Sequence, residues 1–257
     1  MHKTLDKSEI EQLRQFRFAT EVEPSELSID LNRLIDETVL FGYLENLGPH
    51  IGSPCLKVTA SIFVKRYAFL AVIYLYAITA WNKKSDISFE NIILQTEKEA
   101  DVWLPTFYFR SRKVEEVKGS RSEWREEALE ELFSKNIHLL IEQLFKVTKQ
   151  SKLILWENIA IYIFWLYETV LAKSEDKTIR DQAKQDFDFL LYEAPGSLFG
   201  NHPTNPIKRF YVNKRYVDHL QEEVRVRTTC CFSNLLKGET KQCKTCPQIC
   251  NIKKKLF

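Results

Sequence analysis

Glycine is scarce in this chain, seven among 257 residues. A phosphate-cradling loop needs several glycines close together, so no nucleotide or flavin site is expected. The five histidines, His2, His50, His138, His202 and His219, are scattered, which argues against a histidine-built catalytic or metal site. His138 falls on an apolar helical stretch and reads as a satisfied structural residue. Long hydrophobic runs are missing too. The longest, residues 67–81, has 15 residues, against the roughly 20 that a bilayer needs, and Lys65 and Arg66 precede it. Residues 153–171 contain Glu157 and Glu168. Both segments read as helices buried in a core, and no membrane span is expected. Residues 1–10 are polar and lack the apolar stretch of a secretory signal. The expected compartment is therefore the reducing cytoplasm, where structural disulfides are rare.

What remains is an ordinary globular balance, 44% apolar and 28% charged, with length enough to bury a substantial core. Charge is unevenly spread. Residues 201–257 carry twelve Lys/Arg against four Asp/Glu, a net of +8, so residues 1–200 carry −6. That positive field favours anionic ligands or an acidic redox partner. Lys253, Lys254 and Lys255 read as a solvated tail.

Periodicity predicts a mainly helical α+β fold. Leu31, Leu34, Ile35, Val39, Tyr43 and Leu47 recur at helical spacing, and Gly48-Pro49 ends the pattern. Residues 56–81 are apolar almost all round, the profile of a central helix with a candidate break near Lys65. Apolar runs at 92–94, 102–104 and 107–109 predict two or three strands of a small antiparallel sheet, with Pro105 at an edge or bulge. Ser120 and Glu123 fit a capping box. Leu129, Leu132, Phe133, Ile137, Leu140 and Leu144 give the helix behind it an apolar stripe. Residues 153–171 make a further helix, and Ile179, Ala183, Phe187, Leu190 and Leu191 mark another. Val224 and Val226 alternate with Arg225 and Arg227, predicting a strand that runs into Cys230. The chain reads as a helical bundle with a small sheet, one domain over 1–257, carrying a cysteine-rich C-terminal region at 207–257.

Five of the six cysteines, Cys230, Cys231, Cys243, Cys246 and Cys250, fall within 21 residues. Thiols this concentrated usually hold a soft metal. Cys243-x-x-Cys246 is a knuckle shared by zinc and iron–sulfur sites. The adjacent pair discriminates better. Neighbouring side chains of an extended backbone point to opposite sides, and paired zinc ligands usually stand two to four residues apart. Two irons accommodate adjacent thiolates more readily than one zinc. Spacing alone favours an iron–sulfur cluster, with zinc and inert or disulfide-bonded thiols as the other readings. Cys55, far off in an apolar stretch, reads as a small buried hydrophobe. Cys250 reads as a spare thiol, or as one that displaces another ligand.

The stretch Arg227-Thr-Thr-Cys230-Cys231-Phe through Cys243-Lys-Thr-Cys246-Pro247 resembles the signature of the FhuF-like ferric-siderophore reductases, C-C-x10-C-x2-C. Here the spacer is eleven residues and includes Gly238. The segment Ala60-Ser61-Ile62-Phe63-Val64-Lys65-Arg66-Tyr67 is similar to that family's S-x-x-x-K-R-Y entry into a long apolar helix. The resemblance implies a [2Fe–2S] cluster on Cys230, Cys231, Cys243 and Cys246, which performs one-electron reduction of a ferric siderophore of hydroxamate or citrate-hydroxamate type. It implies a separate electron donor, a ferredoxin or a reductase. Lys208, Arg209, Lys214, Arg215, Arg225 and Arg227 are the nearby cations, with Phe210, Tyr211 and Tyr216 among them. Arg209, Arg215 and Arg227 are the candidate substrate contacts. The competing class is a zinc-knuckle interaction protein that uses its basic C-terminus; the vicinal cysteines and the lack of a recognisable nucleic-acid fold stand against it, and no nucleic-acid partner is expected.

Overall fold

Asp6 starts the first helix. Its carboxylate accepts from the Glu9 amide at 2.9 Å while Glu9 reaches back to the Asp6 amide at 2.8 Å, a reciprocal capping box. The computed structural model describes residues 3–23, 25–96, 102–238 and 243–250; the lysine triplet at 253–255 lies outside them. A short strand, β1 (Lys3–Thr4), precedes that helix, α1 (Lys7–Arg14), and two more follow it, β2 (Phe18–Ala19) and β3 (Ile29–Asp30).

The helical spacing over 31–47 does not become one helix. Leu31–Ile35 forms a 3-10 turn, and Asp36 restarts the chain as α2 (Glu37–His50). The Asp36 carboxylate accepts from the amides of Thr38 and Val39 at 2.9 and 3.0 Å. Aspartate satisfies orphan amides at a helix start and competes with the helix elsewhere, so the break falls on it. Contrary to the predicted stop, α2 runs through Gly48-Pro49. The proline removes one donor in the last turn, and the Ile51 amide still reaches Leu47 O at 3.1 Å.

The central helix, α3 (Leu56–Trp81), keeps its predicted bounds and passes Lys65 unbroken. Asn82 ends it at φ 54°, the left-handed conformation asparagine tolerates better than most residues. Next come β4 (Lys83–Ser85), β5 (Ile92–Gln95), β6 (Thr106–Phe109) and β7 (Lys113–Glu116). The apolar run at 102–104 is not a strand. Trp103 leaves the ladder to stack on Phe63, centroids 6.1 Å apart, with its indole N–H on Thr96 Oγ1 at 3.0 Å. Strand β6 is internal, bonded to β2 and β5, so Pro105 sits just ahead of a central strand rather than on an edge. The order is β2-β6-β5-β3 in one sheet and β1-β7-β4 in another; β2 runs parallel to β6, and the other pairs are antiparallel.

The stretch that follows is helical. α4 (Arg121–Leu132) continues through a π-helical turn, Phe133–His138, into α5 (Leu139–Thr148). Ser120 Oγ accepts from the Glu123 amide at 3.4 Å, and every member of the predicted stripe from Leu129 to Leu144 is buried. α6 (Lys152–Trp165) and α7 (Lys177–Asp188) likewise run on into π turns. A hairpin, β8 (Arg215–Val217) and β9 (Glu222–Val224), and a single turn, α8 (Pro247–Cys250), complete the described elements. The strand expected to enter Cys230 ends at Val224.

Because α3 is apolar on all sides, every side of it must be covered. Helix α6 packs along it, and the β2-β6-β5-β3 sheet meets it through Tyr67, edge-on to Phe107 at 5.9 Å. Two helical stretches, Leu56–Trp81 and Lys152–Lys173, are long and apolar enough to cross a membrane; 89% and 56% of their apolar windows are buried within this fold.

One buried carboxylate ties the helices together. Asp186 receives Arg121 in a two-point contact at 2.7 Å each, Thr79 Oγ1 at 2.9 Å and Arg125 at 3.3 Å. Asp186→Ala is expected to cost about 3 kcal/mol, the lower end for a broken buried pair, because Arg121 can turn partly to water. A urea denaturation midpoint within error of the wild type would show that this junction carries no stability.

Candidate metal centre

Two distant segments build the site. The first is the N-terminal half of α3, and the second is the loop between β9 and α8. The Ser61 hydroxyl donates to Cys231 O at 2.8 Å, and the Asn158 amide on α6 donates to Ser61 O and Oγ at 2.9 and 3.0 Å. Arg227 donates to Asn158 Oδ1 at 2.7 Å and faces Glu157 at 3.7 Å, both side chains at most 2% exposed. Glu157 also accepts the amides of Thr228 and Thr229 at 2.6 and 2.7 Å, and the Thr229 hydroxyl. The residues just before the cysteine pair therefore hang on a buried carboxylate. Gly52 fixes the other side: its carbonyl accepts the Lys237 amide at 2.8 Å, its φ is 65°, and a Cβ there would lie 2.9 Å from Lys237 Cβ.

Cys230, Cys231, Cys243 and Cys246 line one cavity of about 110 Å3, with Ser233 and Asn234. The chain turns directly after the vicinal pair, at Phe232, φ 63°, and the Phe232 amide donates to Cys230 Sγ at 3.3 Å. The sulfurs of Cys231 and Cys243 are 4.0 Å apart. Two thiolates on one tetrahedral metal, with bonds near 2.3 Å, would be separated by roughly 3.8 Å. Cys230 and Cys246 face the same cavity. Among the described residues, no three or more His, Cys, Asp or Glu are placed to hold a single metal ion.

Lys65 is the charged partner of these sulfurs. Its ammonium lies 3.7 Å from Cys231 Sγ, 3.9 Å from Cys243 Sγ and 3.2 Å from Ser233 Oγ. The Cys231 thiol is pulled down to about 4, first by the hydrogen bond from Cys243, then by Lys65, Arg227 and Ser233, with burial opposing. Cys243 is pushed up by holding that shared proton and by burial. Cys230 is raised mainly by burial. Thiolate is the form that binds metal, so the pair nearest Lys65 already carries one ligand-ready sulfur.

Cys250 points elsewhere. Its thiol bonds to Lys244 O at 3.0 Å, and it does not line the cavity. Cys55 is exposed at the start of α3, correcting the buried reading. His138 packs edge-on to His202, and its Nδ1 faces Glu142 Oε1 at 3.9 Å without a hydrogen bond. Arg209 and Arg215 are exposed, and Arg215 donates to Cys250 O at 3.3 Å. Arg225 pairs with Glu168 at 2.6 Å. Arg227 is buried with its charge directed inward. Sequence reading missed the role of Lys65, which there marked only a candidate break in the helix; the available signal was its i+4 spacing from Ser61, which puts both on one face.

A second recess, about 350 Å3, adjoins the first. Phe69, Ile161, Tyr162 and Trp165 form its apolar wall, with Lys65, Arg227, Thr245 and Cys243 at the other side. Cys243 is the one described residue that lines both.

A family model described as "Ferric iron reductase FhuF-like transporter" matches residues 61–197, which begins at Ser61 and stops short of the cysteines. A search of curated proteins returns no match. The matched segment spans more than half of the chain and carries the helices that clamp the cysteine loop, and the protein belongs to the FhuF-like ferric iron reductase family.

Proposed function

We propose that this protein is a ferric-siderophore reductase of the cytoplasm, in which Cys230, Cys231, Cys243 and Cys246 hold a [2Fe–2S] cluster. The observation that carries this reading is the convergence of four thiols on one small cavity, beneath a lysine supplied by α3. The donor set fits the group. It is all sulfur, it has the four ligands such a centre takes, and Cys231 and Cys243 stand at the spacing of two ligands on one metal. The cavity has room for on the order of four water-sized atoms. Bound there, the cluster supplies single electrons at low potential, around −400 mV in plant-type ferredoxins.

The chain's own residues do the rest. Lys65 offsets negative charge on the sulfurs, which raises the reduction potential. Glu157, Asn158 and Ser61 hold the loop so that its sulfurs keep their places. Arg209 and Arg215 add positive field on the approach, and Arg227 adds it from inside the wall. Residues 207–257 form the cluster-bearing region of a single domain. The electron balance is simple. A separate one-electron carrier of the ferredoxin or reductase class is oxidised, and Fe(III) in the chelate becomes Fe(II). No covalent bond of the siderophore breaks. Its hard oxygen donors hold the less charged Fe(II) more weakly, so iron is released.

Stopped-flow mixing tests this reading. The chemically reduced protein is mixed with ferric hydroxamate and citrate-hydroxamate chelates in the presence of an iron(II) trap. Visible reoxidation should be faster with an anionic chelate than with a cationic one of similar potential, and the gap should narrow at high ionic strength. Reoxidation no faster than in buffer alone, for every chelate, would sink the reductase assignment.

A further inference from the structure

Ser233 sits where the chain doubles back over the cysteine pair. Phe232, at φ 63°, precedes a 3-10 turn, Ser233–Leu235. The turn brings the Ser233 hydroxyl to 2.8 Å from Cys231 Sγ and 3.5 Å from Cys243 Sγ. The Lys65 ammonium stands 3.2 Å from the same oxygen. Valence fixes the direction of these hydrogen bonds once the sulfurs are ligands. An ammonium can only donate, so Ser233 Oγ accepts from Lys65. A metal-bound thiolate carries no proton and can only accept. The single hydroxyl hydrogen is therefore left for sulfur, and Cys231 is the nearer one.

The donors are unevenly shared among the four thiols. Cys231 and Cys243, with sulfurs 4.0 Å apart, face both Ser233 and Lys65. Cys230 Sγ accepts from the Phe232 amide at 3.3 Å. Among the described residues, no hydroxyl or ammonium bonds to the sulfur of Cys230 or Cys246. An added electron makes an iron–thiolate unit more negative, and donors to its sulfurs offset that charge. Ser233 and Lys65 are half-buried, which limits screening by water. The side with a hydroxyl and an ammonium thus holds an electron more favourably than the side with one amide.

Resting on the cluster reading above, we infer that Ser233 is a positioning residue for the electron: oriented by Lys65, its hydroxyl raises the reduction potential and places the electron on the iron bound by Cys231 and Cys243. The step moves one electron. The carrier loses it, one Fe(III) of the cluster becomes Fe(II), and the hydroxyl keeps its proton. Cys243 also lines the recess walled by Phe69, Tyr162 and Trp165. The electron is therefore held on the side of the cluster whose ligand borders that opening.

Potentiometric titration of the full-length protein with its cluster tests this, followed by visible absorption and by electron paramagnetic resonance of the reduced form. Ser233→Ala should lower the equilibrium constant for reduction about tenfold, which is about 59 mV for one electron. Ser233→Thr keeps a hydroxyl and should stay near the wild type. Lys65→Met should lower the potential too, and its effect should shrink in the Ser233→Ala background, where no hydroxyl remains to orient. Proton NMR of the reduced protein reads which iron holds the electron. Cysteine β-protons beside Fe(II) and beside Fe(III) shift in opposite directions with temperature, and those of Cys231 and Cys243 should follow the Fe(II) pattern. A Ser233→Ala potential within error of the wild type would overturn the proposal, as would the Fe(II) pattern on Cys230 and Cys246. Loss of iron and sulfide in Ser233→Ala would overturn it as well, by making the hydroxyl a ligand or a holder of the loop. Each of these results leaves the cluster reading standing. Unmodified protein that carries neither iron nor labile sulfide would remove that reading and this inference together.

Discussion

Serine at Cys231 is expected to abolish the visible absorption of anaerobically purified protein. Iron and acid-labile sulfide should fall from about two each per chain, as one [2Fe–2S] centre requires, to near zero. Cys231 is 4% exposed, and its carbonyl is fixed by Ser61 while its sulfur faces Lys65. A serine hydroxyl there remains protonated in the neutral range and is a poor ligand for a soft metal. Serine at Cys246 should act similarly, by emptying the partner position of Cys230. Serine at Cys250 should leave colour, iron and sulfide in place, because that thiol bonds to Lys244 O outside the cavity. Bleaching of the Cys250→Ser protein would reassign the ligands. Stoichiometric zinc without labile sulfide in the unmodified protein would remove the cluster altogether.

The second large effect concerns a residue that touches no cysteine. Glu157→Ala should release the loop that carries the vicinal pair. It strips the acceptor from the amides of Thr228 and Thr229 and leaves Arg227 buried without its carboxylate. Breaking a buried pair from one side costs about 3–5 kcal/mol, and the two orphaned amides add to that. The loss should be local, since the α3–α6 core does not depend on this contact. Colour should be lost to an iron chelator many times faster than in the wild type, while far-UV circular dichroism stays near native. The double variant Glu157→Leu with Arg227→Met should recover part of the loss, because two apolar groups leave no buried charge unpaired. Wild-type bleaching kinetics in Glu157→Ala would show that the carboxylate is not the clamp.

Much of the fold was legible in the sequence for specific reasons. Helix α3 was found to the residue because a segment apolar all round and bounded by Pro54 and Asn82 has few alternatives. The α4–α5 stripe was legible because each member is buried on one face. The failures were local competitions. Asp36 split one apparent helix because a cap outbid continuation. Trp103 left its apolar run because its ring had a stacking partner on α3 and its N–H had Thr96. Cys55 was misread because hydrophobic neighbours in sequence do not bury a residue that starts a helix at the surface.

For the site, the sequence by itself determined the donor chemistry. Four thiols at that spacing, in a basic C-terminal region poor in histidine and glycine, make a donor set suited to a soft metal whatever the fold. Only the tertiary structure decided what surrounds them. Lys65 reaches Cys231 from 166 positions away, Glu157 holds the loop from 71 positions away, and Phe69, Tyr162 and Trp165, which wall the adjoining recess, come from two separate helices. Such contacts leave no periodicity or spacing to read. They exist because the apolar faces of α3 and α6 must pack together, and that packing carries their few polar side chains to the cysteine loop.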